Sequence, residues 1–322
     1  MKNKLNLKPD GFRPSRENWV PSIRTIQLSN NFLCFYEGRD KAGEPVFGKS
    51  DSDNWAQIDM DLGVCCYVLF NGTKAVVFDT LIVPEQARYV RTRLEALGIK
   101  EFTVINTHMD MDHTGGNAVF ADCEIIALRG TYEALLKHQA VIEAGKLWGP
   151  PAVNPLVFPN TLIDADEVRN IAGFELHLLR VDSHQEGGSL CVHIPQYKAL
   201  IVGDVAEDPA VFANQPQDLL TNIEQTKRLM DLDVDYVFPM HGNPDKIARG
   251  CYDKRLIHAA IVYQQRLYGR MEEPGYLDLP LKEFMADLLQ DGSINHYEVY
   301  DSIHRLNLEN IYNYWVVQGN KK

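Results

Sequence analysis

The sequence predicts an α/β (α+β) fold. A β-rich α/β domain runs to about residue 243, beginning with an arm over 1–24, and a helical extension covers 244–322. Three observations predict this division. Short apolar runs of β type alternate with helical stretches as far as "VDYVFP". Two of those runs, "GVCCYVLF" and "KAVVFDT", flank Asn71-Gly72, and Asn-Gly tolerates the positive φ of a tight hairpin. From Pro244 onward the apolar spacing is helical.

The elements follow in order. The first two dozen residues are polar and proline-bearing, as expected of a surface arm. "RTIQLSNNFLCFYEG" reads as strand and "RDKAGEPVFGKSDSDN" as loop. "PEQARYVRTRLEAL" places Ala87, Val90, Leu94 and Leu97 on one helical face, with Pro84 in the first turn and Gly98 at the C-terminal cap. "EFTVIN" is a short buried strand, "GGNAVF" opens a short helix, "CEIIAL" is a strand and "TYEALLKHQAVIEAG" a helix. "KLWGPPAVNPLVFPN" has four prolines and reads as an ordered loop over a cavity. "FELHLLRV", "SLCVHI", "KALIVGD" and "VDYVFP" are strands, with the helix "PQDLLTNIEQTKRLMDL" before the last.

The composition, 45% hydrophobic and 24% charged, is that of a soluble globular chain. A net charge of −12 argues against nucleic acid and anionic membrane as partners. No apolar run approaches the roughly 20 residues of a membrane span, and the N-terminus lacks a signal-peptide apolar region. The six cysteines include no CxxC pair, so they read as buried reduced thiols in a cytoplasmic protein.

The chemistry gathers at "THMDMDHTGGN". Thr107 onward leaves the C-terminal end of a strand, where open sheets commonly place sites. His108 and Asp110, two apart, can point the same way; Asp112 and His113 are adjacent and should diverge toward a second position. Gly115 and Gly116 permit close packing behind them. Imidazole and carboxylate together suit zinc, iron or manganese. His184 in "VDSHQEGGS", Asp204 in "ALIVGDV" and His241 in "YVFPMHGNP" each follow an apolar strand and precede turn residues. Sheet packing does not explain that repetition.

From about Ile58 to Pro244 the series resembles the metallo-β-lactamase superfamily, whose usual signature is H-x-H-x-D-H, a distant His, a Gly-Asp and a His-Gly pair. The resemblance implies an αββα sandwich with two divalent metal ions at one edge. It places His108, Asp110 and His184 on the first metal, Asp112, His113 and His241 on the second, and Asp204 between them. Asp79 in "VVFDT" would support the site from behind. The departure is Asp110, where most hydrolases of the family carry His. Asp110 either ligates directly, acts through water, or marks a site with one metal or none. Direct ligation leaves a less positive site that tilts from zinc toward iron or manganese. The flavodiiron branch also carries an acid here, but the tail shows no flavodoxin phosphate loop.

The expected function is therefore a metal-dependent hydrolase acting through a bridging hydroxide on a small ester, lactone, thioester or phosphoester, with Asp112 orienting the hydroxide and receiving a proton. The alternatives are a di-iron protein that reacts with oxygen or nitric oxide, and a non-enzymatic sensor. Trp148 either lines the substrate pocket or packs its own loop; Tyr36 and Trp55 are weaker versions of that choice. His177, His193, His138, His258, His296 and His304 read as structural or surface residues, and Glu186 as a polar turn residue. The helical extension either narrows the site or forms a homodimer contact.

Overall fold

The structure, a computed structural model, describes residues 5–7, 23–39, 55–183 and 185–320. In chain order it runs β1 (Leu5–Leu7), β2 (Arg24–Ser29), β3 (Phe32–Glu37), α1 (Trp55–Leu62), β4 (Val64–Asn71), β5 (Lys74–Phe78), α2 (Pro84–Ala96), β6 (Glu101–Ile105), α3 (Met111–Thr114), β7 (Glu124–Leu128) and α4 (Arg129–Glu143). It continues through β8 (Thr161–Ile163), β9 (Glu167–Ile171), β10 (Phe174–Val181), β11 (Ser189–Ile194), β12 (Ala199–Gly203), α5 (Leu219–Arg228), β13 (Tyr236–Pro239), α6 (Pro244–Ala248), α7 (Lys254–Gly269), α8 (Leu281–Phe284), α9 (Ala286–Gln290) and α10 (Tyr300–Tyr312).

Eight strands, β1 to β8, form one sheet in sequence order, and five form the second in the order β13-β12-β11-β10-β9. The first sheet is antiparallel through β5 and parallel from β5 to β8. The second is antiparallel except for the parallel pair β12–β13. One core lies between the sheets. In it, inward residues of the first sheet such as Cys34, Tyr67 and Phe78 join Leu176, Val192 and Phe238 of the second, and it continues into Tyr263, Phe284 and Ile311 of the helical extension. The second core packs the other face of the eight-stranded sheet, with Val68, Val77 and Val104, against Val90 and Leu94 of α2 and Leu135 of α4. The alternation of apolar side chains along β4 thus feeds both cores, as a sheet buried on two faces requires. Helix, sheet, sheet and helix make the expected αββα sandwich.

The Asn71-Gly72 turn joins β4 to β5 with Asn71 paired to Lys74. Gly98 takes φ +89° just past α2, where an L side chain would be strained. Residues 146–160 carry no regular element, as the prolines predict. Five elements were not foreseen: α1, α3 and the edge strands β1, β8 and β9. The loop read over 40–54 lies outside the described residues. Of the N-terminal arm, Leu5–Leu7 pairs antiparallel with β2.

Candidate metal centre

Strand β6 delivers the opening motif to the edge shared by the two sheets. Thr107 binds across to the second sheet, where its carbonyl accepts from Leu190 N at 2.7 Å. His108 follows directly, and the chain then turns into the four-residue helix α3 with Asp110 at its N-cap. The carbonyl of His113 closes that short helix by accepting from Thr80 N (2.8 Å), Thr80 Oγ1 (3.1 Å) and Asn106 Nδ2 (3.2 Å). Gly115 and Gly116 are needed for close approach, since a Cβ on either would lie 2.1–2.2 Å from the carbonyls of Ile82 and Thr80. Asp204 leaves β12 and His241 leaves β13, so the parallel pair brings them side by side.

The side chains converge. His108 Nε2 lies 3.2 Å from Asp204 Oδ2 and 3.5 Å from Asp110 Oδ2. His113 Nε2 lies 3.0 Å from Asp112 Oδ2 and 3.3 Å from Asp204 Oδ2. His241 Nε2 lies 3.1 Å from Asp112 Oδ2 and 3.5 Å from Asp204 Oδ2. Asp112 and His113 therefore do not diverge as their adjacency suggests: the helical turn of α3 replaces extended backbone there, and both reach one point. All of these are buried except Asp110, whose side chain is 20% exposed. Two groups have ligand atoms close enough to share an ion: His108, His113 and Asp204, and Asp112, His113 and His241. The second matches the expected second site. His184, expected on the first, lies outside the described residues.

The backs of the imidazoles fix which nitrogen carries the proton. His241 Nδ1 donates to the Gly63 carbonyl at 2.7 Å, an atom that can only accept. His113 Nδ1 donates to Asp79 Oδ2 at 2.8 Å. Thr107 Oγ1 gives its single proton to Asp79 Oδ2 at 2.7 Å, so it accepts from His108 Nδ1 at 2.9 Å. Each Nε2 thus turns a lone pair inward, toward carboxylate oxygens that also carry lone pairs. His108 Nε2, His113 Nε2, Asp112 Oδ2 and Asp204 Oδ1 are buried without a hydrogen bond among the described residues. Converging buried lone pairs need cations, and imidazole nitrogen with carboxylate oxygen is a donor set that divalent metals accept. The residues present fit a divalent metal.

The electrostatics say the same. Burial alone would lower the pKa of His108, as would His113, yet Asp204 and Asp110 push it up to about 9. Burial is likewise overcome at His113, raised by Asp112 and Asp204, and at His241, raised by Asp204 and Asp112. Burial would raise Asp112 and Asp204, but the surrounding histidines hold both well below the usual carboxylate range. Without metal, this cluster binds protons where the ions would sit.

Asp79 sits behind the cluster, fully buried, in the left-handed region at φ +60°. Its Oδ1 accepts from Thr107 N at 2.7 Å and its Oδ2 serves Thr107 Oγ1 and His113. Trp148 is 50% exposed in the proline loop. Trp55 is buried, its Nε1 donating to Pro151 O at 3.1 Å, and Tyr36 is buried with its hydroxyl on Gly242 O at 2.7 Å. His193 is buried edge-on to His177. His304 is held inside the helical extension by Tyr263 and the Leu279 carbonyl.

Two acidic residues were missed. Burial first, then Asp112, raises the Asp59 carboxyl on α1 well above its usual range. Glu207 is only 4% exposed, and burial followed by Asp204 pushes it up to about 8. The acid runs "IDMDLG" and "GDVAED" were the available signals, but each reads equally well as a solvated turn.

The metallo-β-lactamase superfamily model matches residues 60–241, more than half of the chain. The acyl-coenzyme A thioesterase MBLAC2 of Gallus gallus is 25% identical over 167 residues, covering 46% of this chain and 59% of the relative, so the chain spans less than two thirds of that protein's length. Among solved structures, a metallo-β-lactamase from Pontibacter korlensis aligns with TM-score 0.56 at 16% identity, over 76% of this chain and 99% of its own. One from Hirschia baltica aligns with TM-score 0.52 at 15% identity, over 74% and 96%. These neighbours carry the fold. The match of the family model across both sheets, ending at His241, establishes that the chain belongs to the metallo-β-lactamase superfamily.

Proposed function

We propose that the chain is a metal-dependent hydrolase with a binuclear site, acting on a small ester, thioester or lactone, with phosphoesters behind. The observation that carries this reading is the set of buried, unpaired Nε2 and carboxylate atoms of His108, His113, Asp112 and Asp204 turned toward one point. His108 and Asp110, with His184, would hold one ion, Asp112, His113 and His241 the other, and Asp204 would serve both; His113 has only its Nε2 lone pair to give, because Nδ1 is bonded to Asp79. When bound, divalent ions supply an activated water and polarise the substrate oxygen. Asp79 and Thr107 keep the His108 and His113 protons on Nδ1, and the Gly63 carbonyl does so for His241. Asp112 Oδ2, beside the Nε2 atoms of His113 and His241, would face the ion, leaving Oδ1 to orient the attacking water and take its proton. A thioester is favoured among the substrates because MBLAC2 bears the name of an acyl-coenzyme A thioesterase. The six free cysteines support a cytoplasmic setting.

A second reading, a di-iron protein reactive toward oxygen or nitric oxide, is favoured by Asp110, whose carboxylate faces His108 at 3.5 Å. One experiment separates the two. The protein is loaded in turn with zinc, manganese and iron, its metal content is measured, and each form is tested on ester, thioester, lactone and phosphodiester panels. Hydrolysis by the zinc or manganese form is expected. No hydrolysis by any loaded form, with a visible band and oxygen uptake by the iron form, would replace the first reading with the second.

A further inference from the structure

The loop from Asp204 to Ala213 joins the end of β12 to the region before α5, and residues of the helical extension hold it at several points. Asp208 accepts from Tyr252 Oη at 2.6 Å and from Asn295 at N (2.6 Å) and Nδ2 (2.7 Å). Asn307 of α10 donates to Val211 O at 2.8 Å and accepts from Ala213 N at 2.7 Å. Nearest the metal centre, Tyr300 of α10 donates its hydroxyl to Glu207 Oε2 at 2.8 Å. The next amide, Asp208 N, binds the carbonyl of His241 at 3.2 Å. The other face of the Tyr300 ring carries the Arg39 guanidinium at 5.3 Å, and that guanidinium also binds the Asp208 carbonyl.

This arrangement exceeds what docking a helix requires. A helix can bury Ile303, Leu308 and Ile311 without placing a tyrosine hydroxyl on a buried acid three residues from Asp204. A carboxyl enclosed this far is costly unless its bonds are made, so its partner governs where it sits. Partners behind metal ligands fix ligand orientation and alter affinity.

We propose that Tyr300 and Glu207 form a positioning pair through which the helical extension holds Asp204 and His241 in metal-binding geometry. The pair sets the path of the loop between those two residues and keeps a carboxyl behind them. The proposal rests on the reading of Asp204 and His241 as metal-binding residues. It makes the extension a working part of the centre.

The test uses the full chain and measures zinc affinity by competition with a chromophoric chelator, alongside the melting temperature of metal-free protein. Tyr300→Phe keeps the ring on Arg39 and removes only the hydroxyl; Glu207→Gln keeps the shape and alters the carboxyl. Both should weaken zinc binding at one site by about 10-fold or more, within the range of such partners, and Glu207→Asp should recover part of the loss. Tyr276→Phe is the control, because that residue also has a buried hydroxyl bonded within the extension, to Leu267 O at 2.9 Å, away from the loop. It should lower the melting temperature but leave zinc affinity unchanged. If Tyr300→Phe and Glu207→Gln bind zinc within about twofold of the parent, or Tyr276→Phe weakens it equally, the pair has no positioning role. If the parent chain holds no stoichiometric metal, the metal-centre reading fails as well. If Glu207→Gln does not fold, Tyr300→Phe against Tyr276→Phe decides alone.

Discussion

Replacing Asp79 with asparagine turns one oxygen into an NH2 group at a place where every neighbour donates. Oδ1 receives Thr107 N, and Oδ2 receives Thr107 Oγ1 and His113 Nδ1. Two orientations are open to the amide. With its oxygen on the Oδ2 side, the NH2 faces the Thr107 amide at 2.7 Å, donor against donor, which costs about 1–3 kcal/mol for a buried pair. With its oxygen on the Oδ1 side, the NH2 donates to Thr107 Oγ1 and to His113 Nδ1. The threonine proton then turns to His108 Nδ1, and both imidazoles move their own proton to Nε2, facing inward. Where both imidazoles are neutral, metal-free Asp79→Asn takes this second orientation and loses little stability, about 1 kcal/mol; where they are protonated, Nδ1 must donate and the first orientation is kept. Metal binding needs both Nε2 lone pairs and forces the first orientation, so the penalty of about 1–3 kcal/mol appears in affinity, a fall of about 5- to 150-fold. Chelator competition reads the affinity, and urea unfolding of metal-free protein, at a pH high enough to leave both imidazoles neutral, reads the stability. Affinity within about twofold of the parent, or an equal loss in metal-free stability, would refute the tautomer argument.

Asp110→His should raise the zinc-to-iron ratio of purified protein and the ester or thioester hydrolysis of the zinc form, checked by elemental analysis and turnover. Metal-free protein should lose stability as pH rises: the folded pKa of His108, about 9, lies above the unfolded 6.5, so its contribution is full below about 6.5 and gone above about 9. That contribution is of order 3 kcal/mol, and urea unfolding after chelation at pH 6 and pH 9 measures it. His304 acts in the opposite sense. Burial lowers its folded pKa to about 4, so stability is lost as pH falls from about 6.5 toward 4, again by roughly 3 kcal/mol. His304→Gln should flatten that acid limb, as shown by unfolding at pH 7 and pH 4.5 against the parent.

The strands and helices were legible because β4, β5, β6 and β12 are apolar runs bounded by turn residues and α2 and α7 carry a clear apolar stripe, whereas the αββα layering came from the family resemblance. The candidate residues His108, Asp112, His113, Asp204 and His241 stood out for a related reason, since each follows the exit of such a run, and the structure brings them together. What could not be read is how chains distant in sequence meet. The short helix α3 brings Asp112 and His113 to one point, against the extended geometry assumed for them. Helix α1 was hidden because "WAQIDMDL" mixes acids into its apolar pattern, and β8 and β9 are too short to show a period. The acid run around Glu207 could not be told from a solvated turn because its partner, Tyr300, lies 93 residues away.

The way the two sheets share the centre has a consequence for how the chain comes to function. Strand β6 and α3 of the first sheet carry His108, Asp112 and His113, and the second sheet carries Asp204 and His241. The seam between them is tied by Cys65 N to Met240 O at 2.9 Å, Tyr67 Oη to Pro239 O at 2.8 Å, and the Gly63 bond to His241. Among the described residues neither sheet holds a complete ligand group, and both groups close over spans of more than 90 residues. Loop closure on that scale comes late in folding, so the candidate ligand groups are not assembled until β13 docks. If the proposed ions bind, metal capture becomes a checkpoint on correct assembly, and a chain with misregistered sheets would go without them.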